Sequence, residues 1–266
     1  MTRILALTRA TWLTAVSYRL GMVMSILAMA VTVVPVYFVS QALQPVVAES
    51  IRQEGGDYFA FLIMGLAAMT LIIAAVGSVP SRVSGAISSG TLEAILATPT
   101  SIIEFIIGLI GYDLLWAALR ASLILLAGAA LGVDFRWNAL PGALLMAGVV
   151  VVGYVAVGAV AAASVLVFRT AGPIVPGVVA ASTLLGGVYY STSVIPSWIH
   201  QLSELIPLTY GLRAARRLML DGAPLAAVGA DVAVLTGETV LLVFVAWMSF
   251  GLALHHAKRS GTLSHY

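Results

Sequence analysis

The chain has 266 residues, of which 61% are hydrophobic and 9% charged, and its formal net charge is +2. Soluble domains carry about 25% charged residues, so this composition cannot supply a water-exposed surface. It contains no cysteine, which excludes disulfides, thiol catalysis and cysteine metal sites; the small net charge says little about partners, and no nucleic acid is expected among them.

Apolar stretches continue for about 20 residues or more, where strands of a membrane barrel alternate over about 10. The expected fold is therefore an all-α integral membrane protein, with nearly the whole length used in spans. Residues 1–19 carry Arg3, Arg9 and Arg19, and Leu5, Trp12 and Val16 share a helical face. This pattern fits an interfacial helix whose arginines reach lipid headgroups; a basic flank that merely orients the first span fits it as well. The first span is expected at 20–43. Its charge-free run is too long for a signal-peptide core, so Ala28-Met29-Ala30 is not a cleavage site and the segment is a retained anchor. Pro35 inside it should kink the helix rather than end it. A polar loop with Glu49, Arg52, Glu54 and Asp57 leads to a second span at 58–79, ending near Pro80.

Residues 88–101 then form a distinct region. Leu92, Ile95 and Leu96 make one apolar stripe at i, i+3, i+4, which predicts a short helix over 90–98, and Pro99 disfavours the α conformation at Thr98. Ser101-Ile-Ile-Glu104 follows as a capping box. It opens a third span at 102–131, succeeded by a fourth at 139–168 and a fifth at 172–192, with a sixth at 232–254. Residues 193–231, punctuated by Pro196 and Pro207, hold two pieces too short to cross about 30 Å. Short helices are expected at 197–205 and 209–220, as a re-entrant or interfacial pair or as an ordinary amphipathic loop. Basic residues near the first span, together with Arg82, Arg169, Lys258 and Arg259, favour both termini inside; Arg52, Arg136, Arg213, Arg216 and Arg217 fall outside.

Ionisable residues within spans cost about 2.5–3.5 kcal/mol each and are the default functional candidates. Asp113 and Arg120 lie seven residues apart in span three, on one face but two turns from each other, so each needs a partner elsewhere. Glu238 in span six is the third. Buried structural contacts account for the same residues equally simply. The histidine pair His255 and His256 sits in the terminal tail, and the only lysine is Lys258. A phosphate-binding loop needs GxxxxGK[ST], so ATP hydrolysis within this chain is excluded. If ATP is used, another chain supplies the ATPase.

Two stretches carry a resemblance. Gly90-Thr91-Leu92-Glu93 followed by Ala97-Thr98-Pro99 and a new span, together with Ile195-Pro196-x-Trp198 and then Ile206-Pro207-Leu208-Thr209-Tyr210 and Arg213, resembles the ABC-2 type permeases, the membrane subunits of a class of bacterial ABC exporters. Ile206 replaces the usual Asn. The resemblance implies six spans with an amino-terminal interfacial helix and a coupling helix between spans two and three. It also implies a second permease subunit, identical or paralogous, and a cytoplasmic ATPase subunit carrying ATP and Mg. Gly90, Thr91, Leu92, Glu93, Ile95, Leu96 and Pro99 would then contact that ATPase, with Asp113, Arg120, Tyr189, Tyr190, Trp198 and Glu238 as candidates for the path. No cofactor is expected in this chain. The implied setting is the cytoplasmic membrane of a bacterium or archaeon, and drugs, antibiotics, lipids or lipid-linked glycans are the implied cargo. The alternative is a secondary transporter driven by an ion gradient, with Asp113 or Glu238 as the proton site; an evident internal repeat, which would favour it, is missing.

Overall fold

The structure, a computed structural model, describes the backbone of residues 19–90, 102–168 and 170–259, and side chains within those ranges except at 19–30, 53, 102–107, 109, 254 and 256–259. Eight α-helices make up the described chain: α1 (Arg19–Val47), α2 (Tyr58–Ser88), α3 (Ile102–Ala130), α4 (Leu140–Phe168), α5 (Ile174–Leu185), α6 (Ser197–Ser203), α7 (Pro207–Arg216) and α8 (Gly229–Arg259). Four segments are long and apolar enough to cross a membrane among the described residues: Tyr58–Ser88, Ile110–Ala130, Trp137–Phe168 and Leu225–Ala253.

The helix α2 is the axis of the bundle. It is 67% buried over its apolar window, against 22% for the windows of Ile110–Ala130 and Leu225–Ala253. α3 packs on one side of it and α4 on another; α8 lies along α4, and α1 leans on α2. Asp57 caps α2, accepting from the backbone N–H of Phe59 at 2.8 Å and of Ala60 at 3.3 Å. Gln44 at the end of α1 clamps the same turn with both ends of its amide, donating to the Gly56 carbonyl at 2.7 Å and accepting from the Tyr58 N–H at 2.7 Å.

Pro80 does not end the second span. The helix continues to Ser88, eight residues beyond Pro80, and α4 packs closely against the carbonyl that the proline leaves without its helical donor. That carbonyl belongs to Val76, and a Cβ at Gly158 of α4 would stand 2.8 Å from its oxygen. Only a glycine lets α4 come so near.

Of the expected fifth span, 172–192, only the first part is α-helical. α5 has 12 residues and ends at Leu185, where Gly186 and Gly187 turn the backbone out of the helix. At 1.5 Å per residue α5 reaches only about 18 Å. The chain then runs without α-helix to Ser197. The two short helices that follow form a hairpin. Its turn is fixed by Ser203, whose hydroxyl donates to the Leu185 carbonyl at 2.6 Å, and by Thr209, whose hydroxyl donates to the Ser203 carbonyl at 2.7 Å. α7 starts beside Gly186, passes Gly211 against Val150 in α4, and ends with Arg216 at Phe61 near the start of α2. The hairpin thus enters the bundle from the Tyr58 end and returns to it. α7 covers 207–216 and passes into a π-helical turn at Arg217–Asp221, in place of the expected single helix over 209–220.

Candidate functional site

Two polar assemblies lie in a largely apolar bundle. The first is a cleft between α2 and α3, open toward the Ser88 end. Because α2 survives Pro80, it carries Arg82 into the bundle opposite Asp113 of α3. The guanidinium is bidentate: Nε donates to Oδ2 at 2.9 Å and Nη2 to Oδ1 at 2.7 Å. The pair borders a cleft of about 550 Å³, whose α2 wall is small (Ala74, Gly77, Ser78, Ser81) and whose α3 wall adds Trp116 and Arg120. Arg120 has no ion pair among the described residues, and its Nε is buried without an acceptor.

The second assembly knots the Tyr58 end. The Arg216 side chain is 1% exposed, and its Nη1 donates to Glu54 Oε2 at 3.0 Å and to the Gly187 carbonyl at 2.8 Å. Nη2 donates to the Phe61 carbonyl at 2.8 Å and the Val188 carbonyl at 3.2 Å. The cation also stacks on the Phe61 ring, with Cζ 3.3 Å from the centroid. Ser191 donates to the other Glu54 oxygen at 2.9 Å. One arginine therefore ties the loop before α2, the turn after α5 and the end of α7. Nearby, Asp231 at the start of α8 faces Arg213 at 3.4 Å and Arg217 at 3.8 Å. Arg213 and Arg217 border a polar vestibule of about 1040 Å³ that also receives Glu54, His200, Glu204 and Asp221. Burial is the main cause that raises the Asp221 carboxyl above its ordinary pKa. Between cleft and vestibule an apolar chamber of about 150 Å³ lies among α2, α3, α4 and α7, lined by residues such as Leu71, Ala121, Val150 and Leu212.

The structure sorts the expected site residues. Gly90 closes α2 in an exposed left-handed turn with φ 67°; Thr91, Leu92, Glu93, Ile95, Leu96 and Pro99 lie outside the described residues, as does the Ser101 cap. Asp113 and Arg120 share the α2–α3 cleft. Asp113 has its partner in Arg82, whereas Arg120 has no ion pair among the described residues. Glu238 stands apart from them on α8, near enough to Tyr154 and Tyr210 to act on both electrostatically, and its Oε2 is buried without a donor. Tyr189 is exposed, and its carbonyl accepts from the Tyr58 hydroxyl at 3.0 Å; the Tyr190 hydroxyl donates to the Leu184 carbonyl. Trp198 is 67% exposed on α6. None of these three aromatic residues lines the vestibule, whereas Ser191, Thr192 and Ser193 do.

Sequence reasoning misses Arg82, Glu54 and Arg216 as structural partners. A signal for Arg82 exists: once α2 is allowed to run through Pro80, an arginine stands within the membrane helix facing an aspartate in the next one. Nothing local marks Arg216 among its neighbours Arg213 and Arg217, because its role depends on a loop more than 150 residues earlier.

The sequence profile of the ABC-2 type transporter family matches residues 2–220. The chain belongs to that family. No curated relative matches the sequence. Membership makes the chain a multi-pass membrane component of an ABC transporter and implies association with an ABC ATPase subunit. The matched range includes the cleft, the Glu54–Arg216 knot and the α6–α7 hairpin.

Proposed function

We propose that the chain is the permease subunit of an ATP-driven exporter in the cytoplasmic membrane. It forms the translocation path as a dimer with an identical or paralogous permease, and a separate ATPase subunit holds ATP and Mg. The observation that carries this reading is the family match, which spans both the Gly90–Pro99 stretch and the Pro196–Arg213 motif. Both termini are cytoplasmic, so the Ser88 end faces the ATPase and the Glu54–Arg216 knot faces outward. The six crossings are α1 to α4, then α5 extended by residues 186–191, then α8; the α6–α7 hairpin is re-entrant from the outside.

The coupling step follows from where the connection between α2 and α3 is placed. Closure of the ATPase on ATP pushes residues 88–101, whose Leu92, Ile95 and Leu96 stripe fills a groove on the ATPase. Arg82 and Asp113 join the same two helices just inside that connection, at 2.7 Å. The push is therefore delivered to α2 and α3 as a unit, and their tilt switches access between inside and outside. The cargo is a drug, an antibiotic, a lipid or a lipid-linked glycan.

Affinity purification of the tagged chain from its own membranes tests the reading. A co-purifying subunit with a GxxxxGK[ST] loop and vanadate-sensitive ATP hydrolysis is expected. A chain that purifies without any ATPase, and transports under an ion gradient that Glu238→Gln abolishes, would instead establish the secondary-transporter alternative.

A further inference from the structure

The α2–α3 cleft combines features that packing within the chain does not explain. Its charges are two arginines and one aspartate, and since Arg82 and Asp113 neutralise each other, the charge of Arg120 is left over. Arg120 lies eighteen residues into α3, well inside the apolar span, with Nε buried and no acceptor among the described residues. An arginine at that depth is strongly unfavourable unless an anion meets it. The small residues of the α2 wall do not serve close packing of neighbouring helices: a Cβ built on Gly77 or on Gly85 meets nothing within 4 Å. The cleft they border measures about 550 Å³.

A second copy of the chain is a poor source for the missing anion. A two-fold contact centred on this cleft would set Arg120 and Arg82 of one copy against those of the other. The other unpartnered in-span carboxylate among the described residues, Glu238, is on α8, which packs along α4 away from this cleft. The bilayer core supplies no counter-charge either. What fits is a molecule with a compact anionic group for the planar guanidinium fork, beside the Trp116 ring, and an apolar remainder that tolerates this depth.

We propose that the α2–α3 cleft binds amphiphiles carrying a phosphate or carboxylate group, with Arg120 as the residue that takes the anion. Read as the cargo class of the transporter, this rests on the exporter function proposed above; as a statement about binding, it does not require the ATPase.

The test uses the full chain in nanodiscs of neutral phosphatidylcholine, without ATP or partner. Binding of radiolabelled dodecyl phosphate is measured for the parent chain and for Arg120→Gln, Arg120→Lys and Gly77→Leu. Saturable binding is expected, weakened at least about tenfold by Arg120→Gln, partly retained by Arg120→Lys and blocked by Gly77→Leu, which fills the cleft. Dodecyltrimethylammonium should not compete. Competition by inorganic phosphate at similar concentration would keep the anion site but assign it to free phosphate instead of an amphiphile. Binding that is absent, or unchanged in Arg120→Gln or in Gly77→Leu, overturns the proposal. So does efficient disulfide formation between two copies of Gly77→Cys in this cysteine-free chain, since a second subunit would then occupy the space. A chain that binds the probe but co-purifies with no ATPase would sink the exporter reading and leave the site standing.

Discussion

The Arg82 guanidinium holds the Asp113 carboxylate through two hydrogen bonds, at 2.9 Å and 2.7 Å, and in doing so joins α2 to α3 near the stretch that connects them. Both side chains are partly exposed, at 35% and 25%. Removing one partner leaves a charge facing lipid or a narrow cleft. Asp113→Asn or Arg82→Gln should each cost about 1.5–3 kcal/mol of stability. The apolar double replacement Arg82→Met with Asp113→Leu should recover most of the stability while uncoupling ATP hydrolysis from transport. Thermal unfolding in detergent of the parent, Arg82→Met, Asp113→Leu and the two combined closes a double-mutant cycle and gives the coupling energy directly.

The Glu54–Arg216 knot should be far less tolerant. With the arginine side chain 1% exposed, its replacement strands a buried carboxylate and three carbonyl acceptors. We expect Arg216→Met to cost about 3–5 kcal/mol. Arg216→Lys should rescue little, because a single ammonium cannot span the fork of acceptors on Glu54, Gly187, Phe61 and Val188. Yield and monodispersity after solubilisation would report both.

How much of this was legible beforehand varies with the kind of constraint. Apolar run length alone puts spans three and four within a residue of α3 and α4, since continuous hydrophobicity bounded by charged loops leaves little choice. The second helix outruns its expected end at Pro80 because a proline can stand inside a membrane helix that is packed against a neighbour, here with Gly158 of α4 close to the carbonyl the proline frees. The fifth differs: its helix stops at Leu185, where Gly186 and Gly187 and the weakly apolar run Val188-Tyr189-Tyr190-Ser191-Thr192 follow, a change of composition that the expected bounds of 172–192 pass over. For the site, depth in an apolar run identifies Asp113, Arg120 and Glu238. Partners do not follow from depth, so the Arg82 bridge and the Arg216 knot emerge only with the fold.

The close approach at Gly158 gives a local test of that explanation. Gly158→Val should destabilise the chain by about 1–3 kcal/mol through forced separation of α4 from α2. At Gly148, on the same helix, an added Cβ meets nothing within 4 Å, and Gly148→Ala should be neutral or slightly stabilising. Parallel melting curves of the two variants decide it; equal losses would remove the argument for how α2 passes Pro80.

The central claim is that work enters this chain from an ATPase at the stretch following α2, whose apolar stripe includes Leu92. The most direct measurement is the amount of ATPase subunit retained per tagged chain, compared between the parent and Leu92→Asp at equal levels of folded protein. A charge in the middle of an apolar contact should reduce retention at least about tenfold, with ATP-driven transport lost in proportion. Equal retention and intact transport in Leu92→Asp would contradict the account.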